Sequence, residues 1–184
     1  MREQFRQYAI NLYQDVPTEV YEGLLSIFCL GVVGIFVILG WKRGWRKVAG
    51  LLFAEYIFLI YCSTVICRKA SEGVAGHNFN LFWSYEAIKN GREDLIAENI
   101  MNVLVFVPVG ILLASLVSGK RAWLITLITG LCISVSIETL QFLLKRGFSE
   151  FDDVMHNTLG CLIGFMVVAV IKGIWLSRRR YLIN

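Results

Sequence analysis

Apolar residues in this chain gather into runs of roughly twenty, the length an α-helix needs to cross a ~30 Å hydrocarbon layer at ~1.5 Å per residue. Five such runs predict five spans: about Leu24–Trp41, Val48–Cys67, Glu98–Val117, Trp123–Leu144 and Val154–Leu176. Ahead of the first, Phe5, Tyr8, Leu12 and Val16 recur at helical spacing among polar residues. That pattern predicts a helix lying at the membrane interface within residues 1–23. A basic start leading directly into an apolar core and a small-residue cleavage site is missing there, so no cleaved signal peptide is expected. The connection Arg68–Ala97 contains N-F-N-L-F-W-S-Y (Asn78–Tyr85), an aromatic patch too short to span. It reads as an interfacial or partly re-entrant segment. The remaining links are short. The expected architecture is an all-α polytopic membrane protein in a single domain, 1–184: the interfacial helix 1–23, a five-helix bundle 24–176 and a basic tail 177–184.

Composition agrees, with 57% hydrophobic and 17% charged residues. The distribution of charge adds an orientation. Ten of the 18 basic residues fall at one set of helix ends, at Lys42, Arg43, Arg46, Lys47, Lys120, Arg121, Lys172 and Arg178–Arg180, with no acid among them. The opposite set holds twelve of the 14 acids; Glu55 and Glu138 lie within spans. Positive residues favour the cytoplasmic side, so the C-terminus is expected in the cytoplasm and the N-terminus outside. The net charge of +4 thereby belongs to a membrane surface, and no nucleic-acid partner is expected. The five cysteines all lie in or at the ends of apolar runs and read as small buried hydrophobes. No metal-ligand or cofactor motif is present, so no metal and no cofactor are expected.

Against this apolar background, three polar stripes stand out. Ser134, Glu138, Gln141 and Lys145 follow one another at steps of four, three and four, which puts them on one helix face. Asp153, Asn157, Gly160 and Gly164 do the same in the last span, and Asn99, Asn102 and Phe106 in the third. Glu138, Asn102 and Asn157 each lie five or six residues from the same end of their helix, roughly 8 Å deep at ~1.5 Å per residue. Matching depth predicts an outward-opening polar pocket between spans three, four and five. Its candidate ligand-binding residues are Asn99, Asn102, Glu138, Gln141, Arg146, Asp152, Asp153 and Asn157. The competing reading for the amides is interhelical hydrogen bonding that holds the bundle together. For Arg146 with Asp152 and Asp153 it is a salt bridge across the hairpin Lys145–Asp153. Glu55 reads as a helix-pairing residue, His156 as packing, and Pro108 as a kink in span three. Gly160-x-x-x-Gly164 predicts a close approach to a neighbouring helix.

These residues resemble the VanZ-like family. The matching stretches are N-I-M-N-V-L-V-F-V-P-V-G (Asn99–Gly110), I-E-T-L-Q (Ile137–Gln141), R-G-F-S-E-F-D-D (Arg146–Asp153) and N-T-L-G-C-L-I-G (Asn157–Gly164), over roughly residues 78 to 170. N-L-F-W (Asn80–Trp83) departs from the family's usual Asn-Leu-x-Pro-Phe in lacking the proline. The resemblance implies a multi-pass protein of the bacterial cytoplasmic membrane, associated with lowered susceptibility to the glycopeptide teicoplanin.

Two functional readings are carried forward. In the preferred one the pocket binds a lipid-linked cell-wall precursor or a lipoglycopeptide, with Phe79, Phe82, Trp83 and Tyr85 meeting an acyl chain at the bilayer interface. In the alternative, the chain is an intramembrane enzyme on a lipid-linked precursor. Its catalytic candidates are Glu138 as general acid or base and Asp152 or Asp153 activating water or holding a metal. No nucleophile motif accompanies them, which disfavours the enzyme. A carrier is disfavoured by the lack of an inverted repeat.

Overall fold

The computed structural model describes residues 45–68, 70 and 76–183, with side chains described from 46 to 173. The expected interfacial helix and the first span, Leu24–Trp41, lie outside the described residues. The elements run α1 (Trp45–Tyr61) continuing into a π-helical turn (Cys62–Ile66), β1 (Gly76–Asn78), α2 (Trp83–Lys89), α3 (Asp94–Leu116), α4 (Ala122–Leu144), β2 (Phe148–Glu150) and α5 (Phe151–Ile183). Among the described residues, four helices are long and apolar enough to cross a membrane: Arg46–Ile66, Asp94–Leu116, Ala122–Leu144 and Phe151–Gly173, with mean hydropathies of 1.8 to 2.1. They are the expected spans two to five.

The last helix begins earlier than its apolar run suggests. Asp152 and Asp153 form its first turn, where unpaired backbone N–H groups favour carboxylates. The stretch expected to be a plain hairpin is therefore a short strand running directly into a helix.

α3 and α5 cross with their backbones in contact. A Cβ built on Gly160 or Gly164 would lie 2.0 Å from the carbonyl oxygen of Val103 or Val107, and one on Gly110 would lie 1.8 Å from that of Cys161. The predicted small-residue pair thus meets α3, which returns the favour with Gly110. α3 stays helical through Pro108. Pro108 has no N–H for the Leu104 carbonyl, and next to that site the Tyr56 hydroxyl donates to the carbonyl oxygen of Val105 at 2.9 Å. Beneath the pocket described below, Ile60, Val65, Phe106, Val109, Leu113, Ile137 and Cys161 form the core. Large apolar side chains such as Leu104, Ile128, Leu143 and Met166 are exposed on the outside, as a lipid-facing surface requires.

The two ends of the bundle differ. At one, Arg46 donates to the carbonyl oxygen of Leu116, and Lys172 to that of Ala114 at 2.7 Å. Two cations thereby satisfy carbonyls that the C-terminus of α3 leaves open. At the other end, β1 pairs in parallel with β2, Gly76 opposite Phe148, His77 opposite Ser149 and Asn78 opposite Glu150. The aromatic stretch Asn78–Tyr85 becomes the end of that strand, a turn and the start of α2.

Candidate functional site: a polar pocket at one end of the bundle

α1 ends, α3 begins, α4 ends and α5 begins at the same pole, so their polar residues meet there. They surround a cavity of about 130 Å³ whose lining includes Ser63, Thr64, Arg68, Glu98, Asn102, Glu138, Gln141, Asp153 and Asn157. Five of the eight ligand-binding candidates, Asn102, Glu138, Gln141, Asp153 and Asn157, are thus brought together.

Each is fixed by a specific partner. Glu138 is 6% exposed and its Oε2 accepts the backbone N–H of Glu150 at 2.9 Å. Asn102 donates Nδ2–H to Asp153 Oδ1 at 2.6 Å, and Asn157 donates to Ser134 Oγ at 2.9 Å. Asn157 therefore also serves as a tie between α4 and α5. Gln141 donates Nε2–H to the carbonyl oxygen of Thr64 at 3.1 Å, while its Oε1 is buried without a partner.

The other three candidates stand elsewhere. Asp152, fully buried, accepts the backbone N–H groups of Phe82 at 2.6 Å and Ser84 at 2.9 Å, and the Ser84 hydroxyl at 2.6 Å. It caps the N-terminus of α2 from a distance and holds Phe82 in a left-handed conformation, φ 64°. Asn99 donates to Ser84 Oγ at 3.2 Å and extends that chain of bonds. Arg146 forms no hairpin salt bridge. Its Nη1 donates to the carbonyl oxygens of Val65 and Ile66, at the end of the π-helical turn. Asp152 and Arg146 are fasteners rather than walls.

The fourth wall of the pocket was missed. It comes from α1, whose π-helical turn is closed by Cys67 N–H to the carbonyl oxygen of Cys62 at 2.9 Å. This turn offers the carbonyls of Thr64, Val65 and Ile66 to Gln141 and Arg146, and brings Ser63, Thr64 and Arg68 to the cavity. π-helical turns recur at functional sites, yet nothing in an apolar run announces one. Arg68 and Glu98 sit at helix ends, where charge is ordinary, so periodicity did not single them out.

Glu150 was likewise passed over. Buried beside the pocket, it accepts the indole N–H of Trp83 at 2.9 Å. Burial pushes its carboxyl up to about 7; the charge of Glu98 adds to this and the Trp83 hydrogen bond opposes it. His156 points to another flank, where its Nε2 lies 2.8 Å from the Tyr85 hydroxyl. There an apolar groove of about 390 Å³ runs along α3 and α5, lined by Tyr85, Asn99, Ile100, Leu104, His156 and Leu159 among others. Glu55 is half-buried on α1 and does not line the pocket. Among the described residues no three His, Cys, Asp or Glu side chains are grouped to hold a metal ion.

The family model for VanZ/LLP1 matches residues 51–172. The chain belongs to the VanZ/LLP1 family. The matched span takes in every residue of the pocket lining. No curated protein and no solved structure matches the chain. As a VanZ/LLP1 member with four apolar spanning helices among its described residues, it is a multi-pass membrane protein.

Proposed function

We propose that the pocket binds the polar head of an amphiphilic cell-envelope molecule, a lipid-linked cell-wall precursor or a lipoglycopeptide, at the outer face of a bacterial cytoplasmic membrane. The observation that carries this reading is Glu138. A carboxylate 6% exposed and inside a spanning helix is costly, and here it borders a cavity rather than a filled core. The apolar groove on the flank of the same helices suits an acyl chain, and the exposed Phe79, Phe82 and Tyr85 suit the bilayer interface. Trp83 serves otherwise, since its indole is committed to Glu150. The basic residues at the opposite pole support this orientation.

A cavity of about 130 Å³ admits one terminal group and not a whole glycopeptide. The proposed effect on teicoplanin-type antibiotics thus comes from engaging one end of the drug or of its lipid-linked target. In a bacterial host, expression of the chain lowers susceptibility to teicoplanin more than to vancomycin, and Glu138→Gln or Asp153→Asn restores it. Unchanged susceptibility to both drugs in every host sinks the resistance part of the reading. Incubation of the purified chain with a lipid-linked precursor leaves the precursor's mass unchanged. Conversion that disappears in Glu138→Gln replaces binding with the enzyme reading.

A further inference from the structure

We infer that Cys62 and Cys67 form a reversible disulfide across the π-helical turn of α1, a modification site in the wall of the pocket. On an α-helix, residues five apart are turned about 140° from each other and lie about 7.5 Å apart along the axis, so their Cα atoms are about 8.7 Å apart. A disulfide cannot bridge Cα atoms more than about 7 Å apart without moving the backbone. The π-helical turn removes that obstacle. It closes from residue to fifth residue, so that the Cys67 N–H donates to the Cys62 carbonyl oxygen at 2.9 Å. The two thiols are thereby brought into hydrogen-bonding contact with each other. Cys161 is committed otherwise, its Sγ facing the carbonyl oxygen of Thr126 at 3.6 Å.

The two sulfurs differ in access, and this sets their order of reaction. Cys62 is 4% exposed, whereas Cys67 is half-buried and follows the last residue of the apolar helix Arg46–Ile66. The Cys67 thiolate attacks one sulfur of an external disulfide, R–S–S–R, and expels the first R–S⁻. The Cys62 thiolate then attacks the Cys67 sulfur of this mixed disulfide and expels the second. Two electrons pass from the chain to the external disulfide, and the two protons given up by the cysteines leave on two R–SH. In the proposed orientation the turn is at the outer pole, where disulfides persist. The ring so closed contains Ser63 and Thr64, which line the cavity. It also contains the carbonyls of Thr64, Val65 and Ile66, which receive Gln141 and Arg146. Oxidation therefore fixes the α1 wall in the form that meets α4 and the hairpin, and reduction frees it.

The test treats the purified, fully reduced chain in detergent with oxidised glutathione, alkylates the remaining thiols and maps the peptides by mass spectrometry. Cys62 and Cys67 should both escape alkylation, in a peptide two hydrogens lighter than its reduced form, and dithiothreitol should restore both thiols. Cys62→Ser should trap glutathione on Cys67, and Cys67→Ser should carry about tenfold less on Cys62. Because the turn already has the geometry, the oxidised chain should melt no lower than the reduced one. Alkylation of both cysteines after the oxidant, or a disulfide from either to another cysteine, overturns the assignment. A lower melting temperature on oxidation overturns it too, since the bond would then distort the turn. If Cys62→Ser does not fold, the peptide map and melting temperature of the unaltered chain decide alone. Ligand retention by the reduced chain is a separate reading, so failure here leaves the head-group proposal standing.

Discussion

Neighbouring acids in this chain have different tasks, and their consequences differ. Asp152 and Asp153 are about 100° apart on a helix, so one faces α2 and the other the cavity. Asp152→Ala removes the acceptor from two backbone N–H groups and a buried hydroxyl. It should cost about 2–3 kcal/mol, within the range for hydrogen bonds to a charged group, read as a lower melting temperature in detergent. Asp153→Asn should leave the melting temperature nearly unchanged and act on binding. Glu150 gives a pH signature. Its carboxyl is raised to about 7 from an ordinary 4.5, so the folded chain holds a proton that the unfolded chain releases over that interval. The stability linked to this proton is complete below about 4.5 and is lost as pH rises through about 7. Thermal denaturation followed from pH 5 to 8 should show falling stability, with a shallower fall in Glu150→Gln; identical slopes count against it.

Elements explain why some of this was legible in the sequence and some was not. The stripe through Ser134, Glu138 and Gln141 was readable because polar residues at helical spacing inside an apolar run have little else to do than face each other. The Gly160 and Gly164 pair was readable for a similar reason, and both lie against α3. Gly164→Ala places a methyl 2.0 Å from the Val107 carbonyl oxygen, so the helices must separate, at about 1–3 kcal/mol. Retention of wild-type stability in that variant would mean that α3 and α5 do not touch there. Less could be read where helices end. The hairpin charges suggested a salt bridge, because Arg146 and two aspartates are close in sequence. Instead Arg146 reaches the π-helical turn of α1, some 80 residues earlier, and Asp152 reaches α2. Partners that distant leave no periodic trace. The π-helical turn shows least of all, since Ser63 and Thr64, the two polar residues of Cys62–Ile66, are ordinary in a packed spanning helix.

For the molecule as a whole, the fold divides labour between its poles. One uses cations, Arg46 and Lys172, to close open carbonyls of α3; the other gathers the acids around a cavity. In the proposed orientation, which rests on the charge asymmetry, the acidic pole is outside. Cysteines introduced at exposed positions should report it. With a membrane-impermeant maleimide on intact cells, Lys89→Cys should label above the unaltered chain and Lys120→Cys should not. The reverse pattern would turn the pocket to the cytoplasm and remove cell-wall precursors on the outer face from consideration.

The measurement closest to the central claim is native mass spectrometry of the chain taken directly from bacterial membranes, beside Glu138→Gln. That variant can still accept the Glu150 N–H through its amide oxygen, so its fold should survive. The account predicts a retained amphiphile of defined mass on the unaltered chain, lost or at least tenfold reduced in Glu138→Gln at equal melting temperature. The same adducts on both proteins, or none on either, would contradict a ligand pocket built around Glu138.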